Sequence, residues 1–202
     1  MKKRITMKYW AIAISLMMLG GGMSACAGGS AKWKEEVQLS DGRIIVIERE
    51  MVTEGGGDEW ASNRGGSKPK EYRIRFTHLD GSGKVEWRST KMDSATWPEV
   101  PLIFDIEDDH PVVFSSVSSE GGGYVYSKYV YQNSVWVEEA LPERFPQRAT
   151  NLLVFKIGYL KDGEFVTLKR KHEMDSDGMR GIGNRGFAHV GPTRIRRADR
   201  TD

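Results

Sequence analysis

The chain has 202 residues, with 30 Lys and Arg against 28 Asp and Glu and a formal net charge of +2, a balance that excludes a polyanion-binding protein driven by bulk charge. Hydrophobic residues make up 39% and charged residues 29%, with 23 glycines and a mean hydropathy of -0.50, which excludes a membrane bundle and indicates a water-facing chain with many turns. The length suits one folded domain.

At the start, Lys2, Lys3, Arg4 and Lys8 stand with no acid among them, and an apolar run over 9–19 ends in Gly20, Gly21 and Gly22. A basic start followed by a short apolar run has the form of an export signal. A spanning helix needs about 20 apolar residues to cross roughly 30 Å of hydrocarbon. This run is shorter, so a permanent transmembrane helix is the weaker reading. Directly after it come Met23, Ser24, Ala25 and Cys26, and Cys26 is the only cysteine in the chain.

Met23-Ser24-Ala25-Cys26 resembles the lipobox of bacterial lipoproteins that carry a type II signal peptide. In that family small residues precede a cysteine that is alkylated on sulfur and becomes the first residue after cleavage. Ser24 and Ala25 match the pattern, and Met23 stands where Leu is usual. The resemblance covers residues 1 to about 30. It implies lipidation at Cys26 with palmitate-class acyl chains and, because Ala27 rather than Asp follows the cysteine, sorting to the outer membrane of a Gram-negative host, facing the periplasm. A lone cysteine in an exported chain has no internal disulfide partner, and at about 0.8 kcal/mol per buried methylene two or three acyl chains hold a protein on a bilayer durably. Removal of residues 1–25, which carry four positive charges and no negative one, leaves 177 residues of net charge -2.

These features divide the chain into a signal peptide (1–25), an acylated cysteine with a flexible Gly/Ser tether (26–32), an antiparallel β domain (33–173) and a Gly/Arg-rich tail (174–202). Within the domain, residues 71–78 alternate Tyr72, Ile74 and Phe76 with Arg73, Arg75 and Thr77, and 84–89 alternate Val85 and Trp87 with Glu86 and Arg88. Both have the period of half-buried strands. The Asp80-Gly81-Ser82-Gly83 stretch between them predicts a hairpin turn. Asp41-Gly42 separates 37–39 from 44–47 in the same manner, and Asp162-Gly163 separates 152–159 from 165–168. Adding 102–106, 112–117, 124–131 and 135–137 gives about ten short strands, and an all-β, mainly antiparallel sandwich or open barrel. A spacing of about 40 residues between Asp-Gly turns offers a small four-bladed propeller as the alternative. Helical periodicity is weak, with a turn or two expected in 143–151. Residues 54–70, rich in glycine, are expected to form a long loop.

Trp33, Glu35, Glu36 and Asp41-Gly42-Arg43 resemble the opening of uncharacterised proteobacterial lipoproteins, a likeness that brings no known activity. Other motifs are decoys by context. Gly181-Ile182-Gly183-Asn184-Arg185-Gly186 has dinucleotide-fingerprint spacing but lacks the strand before it and the helix after it. Asp105, Glu107, Asp108, Asp109 and His110 are dense in oxygen ligands, yet the group suits a charged hairpin turn better than calcium. Asp175-Ser176-Asp177-Gly178 lacks the remaining ligands of a calcium loop. His78, His110, His172 and His189 are far apart and outside any close zinc spacing. No catalytic, cofactor or metal residue is therefore assigned. Tyr124 and Tyr126 should face one side of their strand and Tyr129 and Tyr131 the other, as packing residues. Arg194, Arg196, Arg197 and Arg200 give the tail a cationic end able to meet lipid phosphates. The expected role is a noncatalytic binding or assembly function at the envelope membrane, with an envelope protein partner and no nucleic acid. The alternative is a hydrolase whose Ser, His and Asp meet only in space.

Overall fold

In the computed structural model the described residues are 28–55, 67–78, 80–119, 123–141, 150–154 and 157–174. β1 (Gly29–Gln38), β2 (Ile44–Gly55), β3 (Ser67–Thr77) and β4 (Lys84–Arg88) join β9 (Glu164–Val166) in a five-stranded sheet of order β4-β3-β2-β1-β9. β5 (Val100–Glu107), β6 (His110–Ser118), β7 (Tyr124–Gln132) and β8 (Val135–Glu139) form a four-stranded sheet in sequence order. Every neighbouring pair is antiparallel except β1 and β9. The all-β expectation holds, with two sheets in place of four propeller blades and no closed barrel.

The period-two pattern decides which face is buried. Trp33, Val37, Ile47, Ile74, Phe76, Val85 and Trp87 of the first sheet share one core with Phe104, Ile106, Val113 and Tyr129 of the second. Phe76 meets Phe104 edge-on with ring centroids 4.7 Å apart, and Trp87 meets Tyr129 at 5.7 Å. The Trp136 indole donates to the Glu86 carbonyl at 2.8 Å, tying β8 to β4. On the opposite flank the Asn151 side chain donates to the carbonyls of Gln38 and Phe104 and accepts from the Phe104 amide, tying β1 to β5.

Four expectations are corrected. Within the stretch expected as a tether (26–32), residues 29–32 are strand, because β1 begins at Gly29, whose amide donates to the Thr53 hydroxyl at 3.2 Å while its carbonyl accepts from it at 3.1 Å. The loop expected over 54–70 has strand at both ends. Glu54 attracts Lys68 and Lys70 across the pair, and Pro69 is accommodated beside a register shift at Val52/Thr53, the kind of site where a missing N–H does no harm. The hairpin expected around Asp162-Gly163 does not form, since the Gly163 amide donates to the Lys32 carbonyl and Asp162 accepts from the Lys32 amide. The turn therefore docks on β1 and β9 leaves parallel to it, while Leu152 and Leu153 enter the core without strand structure. Helix appears at α1 (Leu168–Met174), where the Thr167 hydroxyl caps the Arg170 amide and Glu36 accepts from the Leu168 amide. Such side-chain acceptors supply what a helix start lacks. Of the stretch expected to hold a helical turn, 143–149 lies outside the described residues, as do Cys26 and its signal, the Gly181 motif, Asp175-Ser176-Asp177 and the arginine tail.

Candidate functional site: a cleft between three turns

Three hairpins close at the same end of the two sheets. The β3–β4 turn around Gly81, the β5–β6 turn at Asp108-Asp109 and the β7–β8 turn at Asn133-Ser134 border an open cleft of about 520 Å³. Its lining includes His78, Asp80, Lys84, Asp109, His110, Tyr131 and Gln132. Asp108, Asp109, Asn133 and Ser134 all have positive φ, between 48° and 63°, as the right-handed twist of two-residue hairpins demands. Asp and Asn tolerate this backbone better than most residues. The acidic group at 105–110 is thus divided by the fold. Asp105 is buried and accepts the Ser40 amide at 3.1 Å, Glu107 pairs with Lys128 at 3.1 Å, and only Asp109 and His110 line the cleft.

The two histidines that the sequence separates by more than thirty residues meet here. His78 Nδ1 lies 2.7 Å from Asp80 Oδ1, and its ring lies 6.0 Å from that of Tyr131. Hydrogen bonds from the Ser82 hydroxyl and amide, with His78 adding to them, hold the Asp80 carboxyl at about 2, well below its ordinary 3.8. An ionised carboxylate only accepts, so the proton in this contact sits on His78 Nδ1. His110 Nδ1 contacts the Tyr131 carbonyl at 3.2 Å and is fixed as a donor by the same reasoning. The cleft thereby gathers two imidazole rings, two carboxylates and two side-chain amides beside the Lys84 ammonium.

This arrangement departs from a hydrolytic triad in its order. Such a triad runs serine to imidazole to carboxylate, so that the ring takes the serine proton. Here Asp80 lies between His78 and Ser82, and the serine gives its hydrogen bond to the acid. Among the described residues no group of three or more His, Cys, Asp or Glu side chains is placed to share a metal ion.

A second polar cluster is internal. Glu35 and Arg49 form an ion pair at 2.6 Å with both side chains fully buried, and Lys171 from α1 reaches Glu35 at 2.7 Å. Lys171 also donates to the carbonyls of Glu36 and Asn151, using all three of its protons, while Glu35 accepts the Leu153 amide at 2.9 Å. Burial pushes the Lys171 ammonium below its ordinary range against the opposing pull of Glu35. The cluster fastens α1 and the 151–153 segment to β1. Glu99 does the same for the loop before β5, accepting from the Thr90 and Lys91 amides and from the Ser115 and Tyr129 hydroxyls. Burial, followed by the Glu99 charge, raises the Tyr129 phenol.

The tyrosines fall as expected. Tyr129 and Tyr131 join the core between the sheets, and Tyr126 packs on the far side of the second sheet. The cleft itself was hidden in the sequence, because its parts come from three turns whose only common signal is residue types that permit positive φ. Compared with known proteins, the chain matches no protein-family model, no curated protein and no solved structure.

Proposed function

We propose that this chain is a lipid-anchored cell-envelope lipoprotein with a noncatalytic binding or assembly role, held by Cys26 in the outer membrane and facing the periplasm. The observation that carries the reading is the polarity of the first sheet. Gly29, three residues after Cys26, pairs with Thr53 at one end of the sheet, and the Thr77–Lys84 pair leads into the cleft at the other. Ten residues of β1 at about 3.3 Å each span roughly 30 Å, so an anchor at Cys26 turns the cleft away from the lipid and toward envelope components. Its two carboxylates, Asp80 and Asp109, suit a partner rich in N–H and O–H groups.

A photo-crosslinking residue at Gln132 is expected to trap an envelope protein in intact cells, and recovery of monomer alone would remove the binding role. Cys26→Ser is expected to abolish labelling by a fatty-acid probe, and persistent labelling would remove the anchor. The hydrolase remains the second reading because Asp80 orients His78 as a base. Its nucleophile would be water or a serine of the cleft such as Ser134, and His78→Ala would then abolish hydrolysis of envelope esters.

A further inference from the structure

We infer that the end of the domain bearing the first residue of β1 is a membrane-docking surface, whose occupant is the headgroup region of the same bilayer that holds Cys26. The inference rests on the lipid-anchor reading and adds to it a defined contact between protein and lipid.

Three observations meet at this end. The first is tether length. Only Ala27 and Gly28 separate Cys26 from Gly29, where β1 is already paired to Thr53, and three residues extend at most about 11 Å. A domain on so short a lead stays within reach of the lipid surface, so that even a weak apolar contact is made at high effective concentration.

The second is the position of the loop between β4 and β5. Thr53 pairs with Gly29 on one side and Pro69 on the other, and Lys68, beside Pro69, reaches both Glu54 at 3.3 Å and the Thr96 hydroxyl. The loop thus lies level with the start of β1. It is also ordered by its own hydrogen bonds. Asp93 Oδ1 accepts the amides of Ala95 and Trp97, the Asp93 amide donates to the Trp97 carbonyl, and Met92 bridges to Pro98.

The third is what the loop displays. Met92 is 53% exposed and Trp97 37% exposed. Tryptophan is the residue that membrane interfaces favour, with an apolar body and one polar N–H, and methionine fills the irregular space between acyl chains and headgroups with little loss of fit. Charge complementarity plays a small part here, because Glu54 lies against both Lys68 and Lys70. The contact should therefore form on zwitterionic as well as anionic lipid.

The test uses the full lipidated protein purified from cells and reconstituted in phosphatidylcholine vesicles whose lipids are brominated close to the headgroup, so that tryptophans in the interface lose fluorescence. In a Trp60→Phe background the otherwise wild-type protein is expected to show quenching, Trp97→Phe to lose most of it, and Trp136→Phe, altered beside the distant cleft, to keep it. Met92→Asp should lift the loop and reduce quenching while leaving Trp97 in place. Equal quenching of wild type and Trp97→Phe, with Cys26 acylated by mass spectrometry of the same sample, would overturn the docking surface and leave the anchor standing. An unacylated Cys26 in that sample would overturn the anchor, and the docking surface with it.

Discussion

The two sheets solve burial differently. The first keeps one face wet: Lys34 and Glu48 pair across β1 and β2, Arg75 bridges Glu50 and Glu86, and Arg88 pairs with Glu86, giving a lattice of alternating sign over the outer surface. The second buries both faces along β5 and β6, while its edge strand β8 stays open, with Val135 55% exposed. Ile103, Val112, Phe114 and Val130 form a separate cluster on its outer side, with Leu141 and Val154 packed against them. Within a 202-residue chain, one sheet therefore has one side in a core and the other has two. The contrast shows where stability concentrates and where the surface is open to partners.

The sharpest way to break this contrast is to compare charges on the two sides of the first sheet. Glu35→Ala strands Arg49 and Lys171 in the interior and removes the acceptor of the Leu153 amide. Loss of one member of a buried ion pair costs about 3–5 kcal/mol, and with two cations left the upper half of that range is expected in chemical denaturation. Glu48→Ala, in the outer lattice where Lys34 is 57% exposed, should cost below about 1 kcal/mol. Equal losses would show that the inner and outer charges are not distinct in kind.

Next in size is the second core. Phe114 is 2% exposed on the outer side of the four-stranded sheet, and Phe114→Ala should cost about 3 kcal/mol, at the lower end for a buried aromatic because a covering segment can settle into the space. Phe104→Ala, between the sheets, should cost more. A loss below about 1 kcal/mol at Phe114 would match an exposed position and show that the outer face is not a packed core.

The same contrast explains how much was legible. Residues 71–78 and 84–89 alternate cleanly because their sheet has one wet face, and the hairpin between them follows from Asp80 to Gly83. The run Leu102-Ile103-Phe104 shows no alternation because both faces are buried, so its strands could be placed but not oriented. Chain order concealed the rest. Asp162-Gly163 has local hairpin chemistry, yet Lys32, more than a hundred residues away, captures both turn residues. Glu35 and Lys171 gave no signal at all, since each looks like a surface charge until α1 closes over β1. In the sequence the cleft histidines were two of four scattered rings, and only the convergence of turns brings His78 and His110 to one cleft.

The smallest effect separates the walls of the cleft. On the first sheet the wall is held by side-chain bonds, Asp80 to the Ser82 amide at 2.7 Å and to His78 at 2.7 Å. On the second sheet the Asn133-Ser134 wall is held by backbone geometry with positive φ. Because Asp80 is held at about 2 against an ordinary 3.8, its contribution is complete above its unfolded value and is lost as pH falls through its folded one. Acid titration by NMR should therefore give an Asp80 midpoint near 2, with the amide of Ser82 moving in step and those of Asn133 and Ser134 following no such transition. Asp80→Asn should abolish the Ser82 response, and it should loosen the ring of His78 without moving His110, whose partner is the Tyr131 carbonyl. An Asp80 midpoint at the ordinary carboxylate value would mean that the Ser82 bonds do not hold in solution. The first wall would then be as free to move as its exposure allows, and His78 would lose the partner that fixes its tautomer.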